Sequence, residues 1–220
     1  MLAMKNELRI PSPEKLQEML ELAQLGKNAR VIFHDLSNHL TALTLSMEHV
    51  THVLRSHLEN SSSETFEIRT EIKKIIQTFE ARARDQRVIC NLSCRSNTKL
   101  HGDSRAFTHI LTNLISNAFD SFQNCDKNRT RKITISTATS KKNIGHMKAG
   151  TVVLSVSDTG SGILAQDIPH IFDKNFTTKK SGHGIGLVAV KEFVEESFNG
   201  KISVQSSEAG TRFDIYFPAR

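Results

Sequence analysis

Residues 103–122 read DSRAFTHILTNLISNAFDSF, a pattern typical of a long capped helix. Asp103 is a preferred N-cap residue, so we predict that the helix begins there. Asn113 and Asn117 are four residues apart and share one helix face. Because asparagine is a poor residue for a helix interior, two in register suggest a specific role. Their amide oxygens suit a hard cation such as Mg²⁺, which attracts phosphates, although a solvated helix face is the alternative.

On both sides of this helix, segments rich in β-branched residues alternate with polar turns. We predict a further helix over 185–198 and strands at 87–93, 132–139, 151–157, 201–206 and 212–217. Helices combined with mostly antiparallel strands predict an α+β sandwich, with the helices on one face of the sheet.

The N-terminal third has a heptad pattern instead. Apolar residues recur at alternating spacings of four and three, namely Ala29, Phe33, Leu36, Leu40, Leu43, Met47, Val50 and Leu54. A second apolar series, Ile68, Ile72, Ile75 and Phe79, completes a predicted helical hairpin over 13–85. Because two helices cannot enclose both series, we predict dimerisation into a four-helix bundle. A monomer whose hairpin packs on the second half of the chain is the alternative.

Charge is distributed unevenly along the 220 residues. Residues 1–85 contain 11 Lys/Arg and 12 Asp/Glu, a net charge of −1, whereas residues 86–220 contain 18 and 11, a net charge of +7. This predicts an anion-binding second half. Both a nucleic acid and a phosphate-bearing small molecule fit the charge, but the absence of Trp and the single Tyr disfavour base stacking.

Cysteine content and hydropathy indicate the cellular compartment. The three cysteines are odd in number and lack a Cys-x-x-Cys pair, so we interpret them as reduced thiols of a cytosolic protein. We find no apolar run as long as a membrane span and no signal peptide.

Three further segments contain residues suited to chemistry. His34 follows an apolar heptad position, and beside it Asp35 is able to accept the proton of an attacking imidazole, while Asn38 lies one turn along the same face. In 158–162, DTGSG, a carboxylate at a strand end suits an exocyclic amine, and the glycines allow close backbone approach. The glycine-rich segment 182–187 opens a helix and predicts an anion site, to which Lys179 and Lys180 would add charge. Each signal alone also fits a surface histidine or a plain turn.

In their order and spacing, these motifs resemble those of the sensor histidine kinases of two-component systems. The H box corresponds to 34–38, the N box to 113–118, and the two glycine boxes to 158–162 and 182–187. Phe172, Phe176, Thr177 and Thr178 resemble the F box, and Gly210-Thr211-x-Phe213 resembles the closing strand signature. The resemblance extends over about residues 25–217. It implies an N-terminal extension (1–12), a dimerisation and histidine-phosphotransfer domain (13–85) and a Bergerat-type ATP-binding catalytic domain (86–220).

The resemblance also implies an activity. The expected protein is an ATP-dependent protein-histidine kinase, which phosphorylates its own His34 and passes the phosphoryl group to an aspartate of a response-regulator receiver domain. Asp35 would be the general base, and Asn38 would position a water when the regulator is dephosphorylated. ATP and Mg²⁺ are the expected cofactors. We expect a cytoplasmic homodimer, either by itself or as the cytoplasmic part of a membrane kinase.

Roles in nucleotide binding follow from the same resemblance. Asn117 would hold Mg²⁺, Asp158 would accept from the adenine amine, and 163–184 would form a lid over the nucleotide. The expected binding set is Asn113, Asn117, Asp158, Gly160, Gly162, Thr177, Thr178, Lys179, Gly182, Gly184, Gly186, Leu187 and Thr211. Related ATPases that hydrolyse ATP carry Glu at the position of Asn113, so the amide here favours transfer to His34.

The chain departs from the family pattern at Asp120. Many members carry Lys, Arg or His there, in contact with phosphate, and we expect Lys179 or Lys180 to substitute. A non-catalytic adaptor with a vestigial nucleotide domain is the alternative function, which the presence of every box disfavours.

Overall fold

The computed structural model describes residues 64–94, 98–125, 128–179 and 184–219. The expected phosphotransfer residues His34, Asp35 and Asn38 lie outside these ranges, as do the first heptad series and Gly182.

The described chain forms seven strands and four α-helices. In chain order they are β1 (Glu64–Glu67), α1 (Ile68–Thr78), α2 (Glu80–Gln86), β2 (Ile89–Cys94), β3 (Lys99–Gly102), α3 (Ser104–Ser121), β4 (Lys132–Thr139), β5 (Val152–Asp158), α4 (Gly186–Glu192), β6 (Lys201–Ser207) and β7 (Gly210–Phe217). A π-helical turn, Phe193–Ser197, extends α4. As predicted, Asp103 caps α3, and its carboxylate accepts from the backbone N–H of Arg105 at 2.8 Å.

A five-stranded sheet of order β2-β4-β5-β7-β6 forms one layer. The pair β2–β4 is parallel, and the other pairs are antiparallel. Period-two alternation places Ile135, Val156 and Phe213 in register on one buried face. Helix α3 packs on β5 and β7 from that side and contacts both α1 and α4. The predicted α+β class is therefore confirmed for this part of the chain, whereas the predicted hairpin and its dimer lie largely outside the described residues.

Residues 64–78 differ from the sequence expectation. Glu64–Glu67 is a strand that pairs with β3, and Phe66 lies opposite Leu100. In α1, three residues of the predicted apolar series, Ile68, Ile72 and Ile75, are buried, and the helix contacts α3. A 3–4 spacing identifies an apolar face without identifying everything that covers it. The helical prediction is confirmed for Ile68–Thr78, whereas the hairpin stays a prediction, because its first helix lies outside the described residues.

The structure also describes the cysteines and the hydropathy of the helices. All three cysteines are free thiols, and burial raises the pKa of Cys90 and of Cys94. Among the described helices, none is both long and apolar enough to cross a membrane.

Candidate functional site

Asp158 forms one end of the candidate site. It is the last residue of β5 and lies opposite Ile133, on the face of the sheet that the helices cover. Its Oδ1 accepts from the backbone N–H of Gly160 at 2.7 Å and lies 3.1 Å from the hydroxyl of Ser121. Burial raises the pKa of Asp158, and these two hydrogen bonds oppose that shift in part. The result is a partly buried carboxylate held in one orientation, suited to accept from an amine.

Gly160 leaves space for this carboxylate. A Cβ at residue 160 would overlap the Ser121 hydroxyl and would lie 2.7 Å from the Asp158 Oδ1. Gly162 has to be a glycine for a different reason. Its φ of +73° favours glycine, and a Cβ there would overlap the carbonyl oxygen of Ser207. Of the two glycines, Gly160 therefore borders the acceptor, and Gly162 shapes the loop that follows it.

Thr211 joins the same end of the site. It is 5% exposed, and its hydroxyl lies 2.9 Å from that of Ser206. The Ser206 hydroxyl in turn accepts from the backbone N–H of Ile163 at 2.8 Å. The backbone of Thr211 also lowers the pKa of the Asp158 carboxyl and so opposes the effect of burial in part. The structure thus brings Asp158, Gly160 and Thr211 together, as expected from the sequence.

The other end of the site lies two turns earlier on α3. Asn113 is buried, and its Nδ2 donates to the carbonyl oxygen of His109 at 3.1 Å. Its Oδ1 faces α4, where a Cβ at Gly186 would lie only 2.9 Å away. The first residue of α4 therefore has to be small for the Asn113 amide to keep this position.

Asn117 faces the segment that follows Phe176. The Nζ of Lys179 donates to its Oδ1 at 2.7 Å and to the Oδ2 of Asp120 at 2.6 Å. Asp120 is also paired with Arg82 of α2, with 2.5 Å between its Oδ1 and the Nη2 of Arg82. The structure therefore brings Lys179 to Asn117, the expected metal ligand. A second cation, Arg82, is paired with the other oxygen of Asp120.

For the remaining predicted residues that the structure describes, the contacts given are with other parts of the chain than Asn113, Asn117 and Asp158. Thr177 and Thr178 are exposed, and the Thr177 hydroxyl accepts from the backbone N–H of Lys179 at 3.1 Å. Gly184 abuts the backbone of the preceding segment, since a Cβ there would lie 2.6 Å from the nitrogen of Phe176, and its expected contact with phosphates stays a prediction. Leu187 packs against the core.

Both ends of the site lie on one face of α3. Asn113, Asn117 and Ser121 follow each other at four-residue intervals, and they contact Gly186, Lys179 and Asp158 in that order. This face spans about 12 Å at 1.5 Å per residue. The sequence analysis missed Ser121 and Arg82, because their partners, Asp158 and Asp120, lie more than thirty residues away in the chain.

The residues present fit a nucleotide with a divalent cation. A partly buried acceptor and a glycine that leaves it space suit a base that carries an amine. Two amide oxygens and a lysine ammonium suit phosphates and Mg²⁺, which prefers oxygen ligands. The basic charge of residues 86–220 agrees with such an anion.

Comparisons with known proteins support this interpretation. A relative, the probable C4-dicarboxylate sensor kinase of Bacillus subtilis (strain 168), is 28% identical over 221 residues, or 97% of this chain and 37% of that protein. The chain thus spans well under half of this curated relative's length.

Solved structures have the same fold. The nucleotide-free catalytic domain of histidine kinase ThkA matches 71% of this chain and 95% of its own, with a TM-score of 0.60 and 23% identity. The histidine kinase ThkA in complex with response regulator protein TrrA matches 96% of this chain and 53% of that chain, with a TM-score of 0.60 and 20% identity.

A family model matches more than half of the chain. It describes the histidine kinase-, DNA gyrase B- and HSP90-like ATPases, and it matches residues 102–220, from the end of β3 onward. Together with the relative, this match confirms the resemblance to sensor histidine kinases that the sequence motifs indicated. The chain belongs to the family of histidine kinase-, DNA gyrase B- and HSP90-like ATPases.

Proposed function

We propose that this chain is the transmitter core of an ATP-dependent protein-histidine kinase, which phosphorylates His34 and passes the phosphoryl group to an aspartate of a response regulator. The observation that carries the proposal is the single face of α3 on which Asn113, Asn117 and Ser121 are aligned. One helix thereby connects a base-binding acceptor, Asp158, to a phosphate-binding end at Lys179.

The described residues have distinct tasks in this function. Asp158 orients the base by accepting from its amine, and the oxygen of Asn117 would hold Mg²⁺. When bound, Mg²⁺ neutralises phosphate charge, the main requirement of phosphoryl transfer. Lys179 adds a second positive charge at the same place. Asn113 is an amide, which is unable to deprotonate water, so this position supplies no base for hydrolysis.

The acceptor side of the reaction rests on the sequence. His34, Asp35 and Asn38 lie outside the described residues, and we propose them as nucleophile, general base and water-positioning residue. The imidazole attacks the γ-phosphorus, ADP leaves, and Asp35 takes the imidazole proton. The phosphoryl group then passes to a carboxylate of the regulator.

Labelling with γ-³²P ATP and Mg²⁺ tests the proposal. We expect label on the wild-type chain that is stable to base and labile to acid, and that is lost in His34→Gln and in Asn117→Ala. His49→Gln, a change at another histidine of the N-terminal part, is the matched control and should retain the label. Label that persists in His34→Gln, or ATP hydrolysis without protein labelling, would contradict the proposal.

We also propose a domain division, in which the boundary between the two domains lies earlier than the residue 86 expected from the sequence. Residues 1–12 are an extension, a phosphotransfer domain starts at residue 13, and the catalytic domain starts at or before β1 because Phe66 and Ile68 are part of its core. The phosphotransfer helices are proposed to form a homodimer. Sedimentation equilibrium of the full chain should then give twice the chain mass of 24.6 kDa.

The proposed partner is a receiver domain, an inference that the complex of ThkA with TrrA supports by analogy of fold. Transfer of label from the phosphorylated chain to a receiver domain, and its absence when the receiver aspartate is changed to asparagine, tests this directly. The proposed location is the cytoplasm, in keeping with three free thiols.

A further inference from the structure

Three charged side chains connect α2, α3 and the segment after Phe176. Asp120 lies between Arg82 and Lys179, at 2.5 Å from the Arg82 Nη2 and 2.6 Å from the Lys179 Nζ. We call these three residues the charge bridge. The Arg82 and Asp120 side chains are 25% and 20% exposed, whereas that of Lys179 is 45% exposed. The bridge is therefore anchored on the α2–α3 side.

Arg82 is fixed by more than its ion pair. Its guanidinium lies 5.0 Å from the ring centroid of Phe119, which is fully buried and stacks on Phe79. Its Nη1 also lies 3.4 Å from the Ser116 hydroxyl. An arginine held by a buried ring and by a neighbouring hydroxyl loses little entropy when it pairs, so Asp120 has a rigid counterion.

Asp120 would be unfavourable for triphosphate binding if it stood alone. A carboxylate one turn from Asn117 repels phosphate, but within the bridge two cations outnumber it, for a net charge of +1. One of these cations, Lys179, also contacts the Oδ1 of Asn117, and an amide oxygen has a second lone pair left for a metal ion.

We propose that Asp120 and Arg82 are positioning residues, which hold the Lys179 ammonium at Asn117 so that it faces the phosphates. This inference rests on the proposed function, in which the site binds ATP. It assigns to an acidic residue the task of bringing a cation to the nucleotide. Arg82 orients the acid, and Asp120 determines where Lys179 lies.

A purely electrostatic role and a positioning role of Asp120 predict changes of opposite sign in the affinity for ATP. If Asp120 acted only through its charge, Asp120→Asn would raise the affinity for ATP, because a negative charge near the phosphates disappears. If Asp120 positions Lys179, the same change lowers the affinity. We expect a loss of about fivefold, typical of partly exposed ion pairs, and a partial rescue by Asp120→Glu.

Isothermal titration calorimetry on the full chain with Mg–ATP and Mg–ADP measures this. Lys179→Met and Arg82→Met should each lower the affinity for Mg–ATP by a similar factor and the affinity for Mg–ADP by less. The double variant Asp120→Asn/Lys179→Met should be no weaker than Lys179→Met, because the two residues act through one contact. Lys174→Met, a charge loss at an exposed lysine five residues before Lys179, is the control and should match the wild type.

Hydrogen exchange without nucleotide gives an independent readout. The backbone amides of 172–179 should exchange several times faster in Asp120→Asn and in Lys179→Met than in the wild type. Unchanged exchange in Asp120→Asn, or a gain in its ATP affinity, would overturn the positioning role. A wild-type chain that binds no ATP, while exchange still responds to Asp120→Asn, would instead overturn the proposed function and retain the bridge as a structural contact.

Discussion

Gly160→Ala is the most direct test of the candidate site, because it adds a single methyl group beside the Asp158 carboxylate. The new Cβ would overlap the Ser121 hydroxyl and would lie 2.5 Å from the Ser121 Cβ and 2.7 Å from the Asp158 Oδ1. Since Gly160 does not have a positive φ, backbone strain contributes nothing. The effect therefore comes from displacement of Ser121 and Asp158.

The geometry gives the expected magnitude. Displacing the Asp158 carboxylate removes the charge-assisted hydrogen bond that we propose it makes to the adenine amine, a loss of about 1.5–3 kcal/mol. This corresponds to ATP binding that is roughly tenfold to 150-fold weaker. Overpacking costs about 1–3 kcal/mol of unfolding free energy, so the chain should remain folded with a lower Tm.

Calorimetry with Mg–ATP measures the loss, and a second substitution tests its cause. Ser121→Gly removes two of the three overlapping atoms, so Gly160→Ala/Ser121→Gly should recover part of the affinity. Gly145→Ala is the control, because Gly145 has a φ of +58° but no atom within 4 Å of an added Cβ. It should cost about 1 kcal/mol of stability and leave ATP binding unchanged. Wild-type affinity in folded Gly160→Ala would refute the assignment of this pocket.

Three further predictions address separate features. Burial raises the pKa of Asp158 above the ordinary value of 3.8, so the folded chain binds a proton more tightly than the unfolded chain. The free energy of unfolding should therefore fall as the pH rises from the unfolded pKa through the raised pKa of the folded chain. Asp158→Asn should remove that slope in urea titrations from pH 4 to 7, and a slope that persists would point to another group. Gly186→Ala should displace the Asn113 amide and weaken the binding of Mg–ATP by several fold. The Tm should not fall, because alanine favours a helix, and a lower Tm with unchanged binding would contradict this. Ile72→Ala should lower the free energy of unfolding by about 2–5 kcal/mol in calorimetry and leave the mass of the proposed dimer in sedimentation unchanged. Loss of the dimer would instead indicate that α1 is part of the dimerisation hairpin.

Local patterns predicted most of the fold. The Asp103 cap and the β-branched segments around β4 and β5 carry signals that arise within a few residues. The strand Glu64–Glu67 has no such signal, because it is four residues long and has a glutamate at each end. Its pairing with β3 depends on a segment more than thirty residues away.

The candidate site divides in the same way. Asn117 and Asp158, whose chemistry is visible in short motifs, were proposed from the sequence, and the structure places Asn117 on the α3 face and Asp158 at the end of β5, in contact with Ser121 of that face. Ser121 and Arg82 belong to no motif that the sequence analysis recognised. Their partners are set by the packing of α2 and β5 on α3, which periodicity describes only as a buried face.

The alignment of Asn113, Asn117 and Ser121 makes α3 sensitive to helical phase. Each inserted residue would rotate everything that follows by about 100°, so one extra residue between Asn117 and Ser121 would turn Ser121 away from Asp158 without removing any side chain. Substitutions on the opposite face would leave the alignment intact. Insertions and deletions between Ala118 and Ser121 should therefore abolish nucleotide binding in a chain that retains every motif, and the same changes in the exposed turn between β4 and β5 should be tolerated.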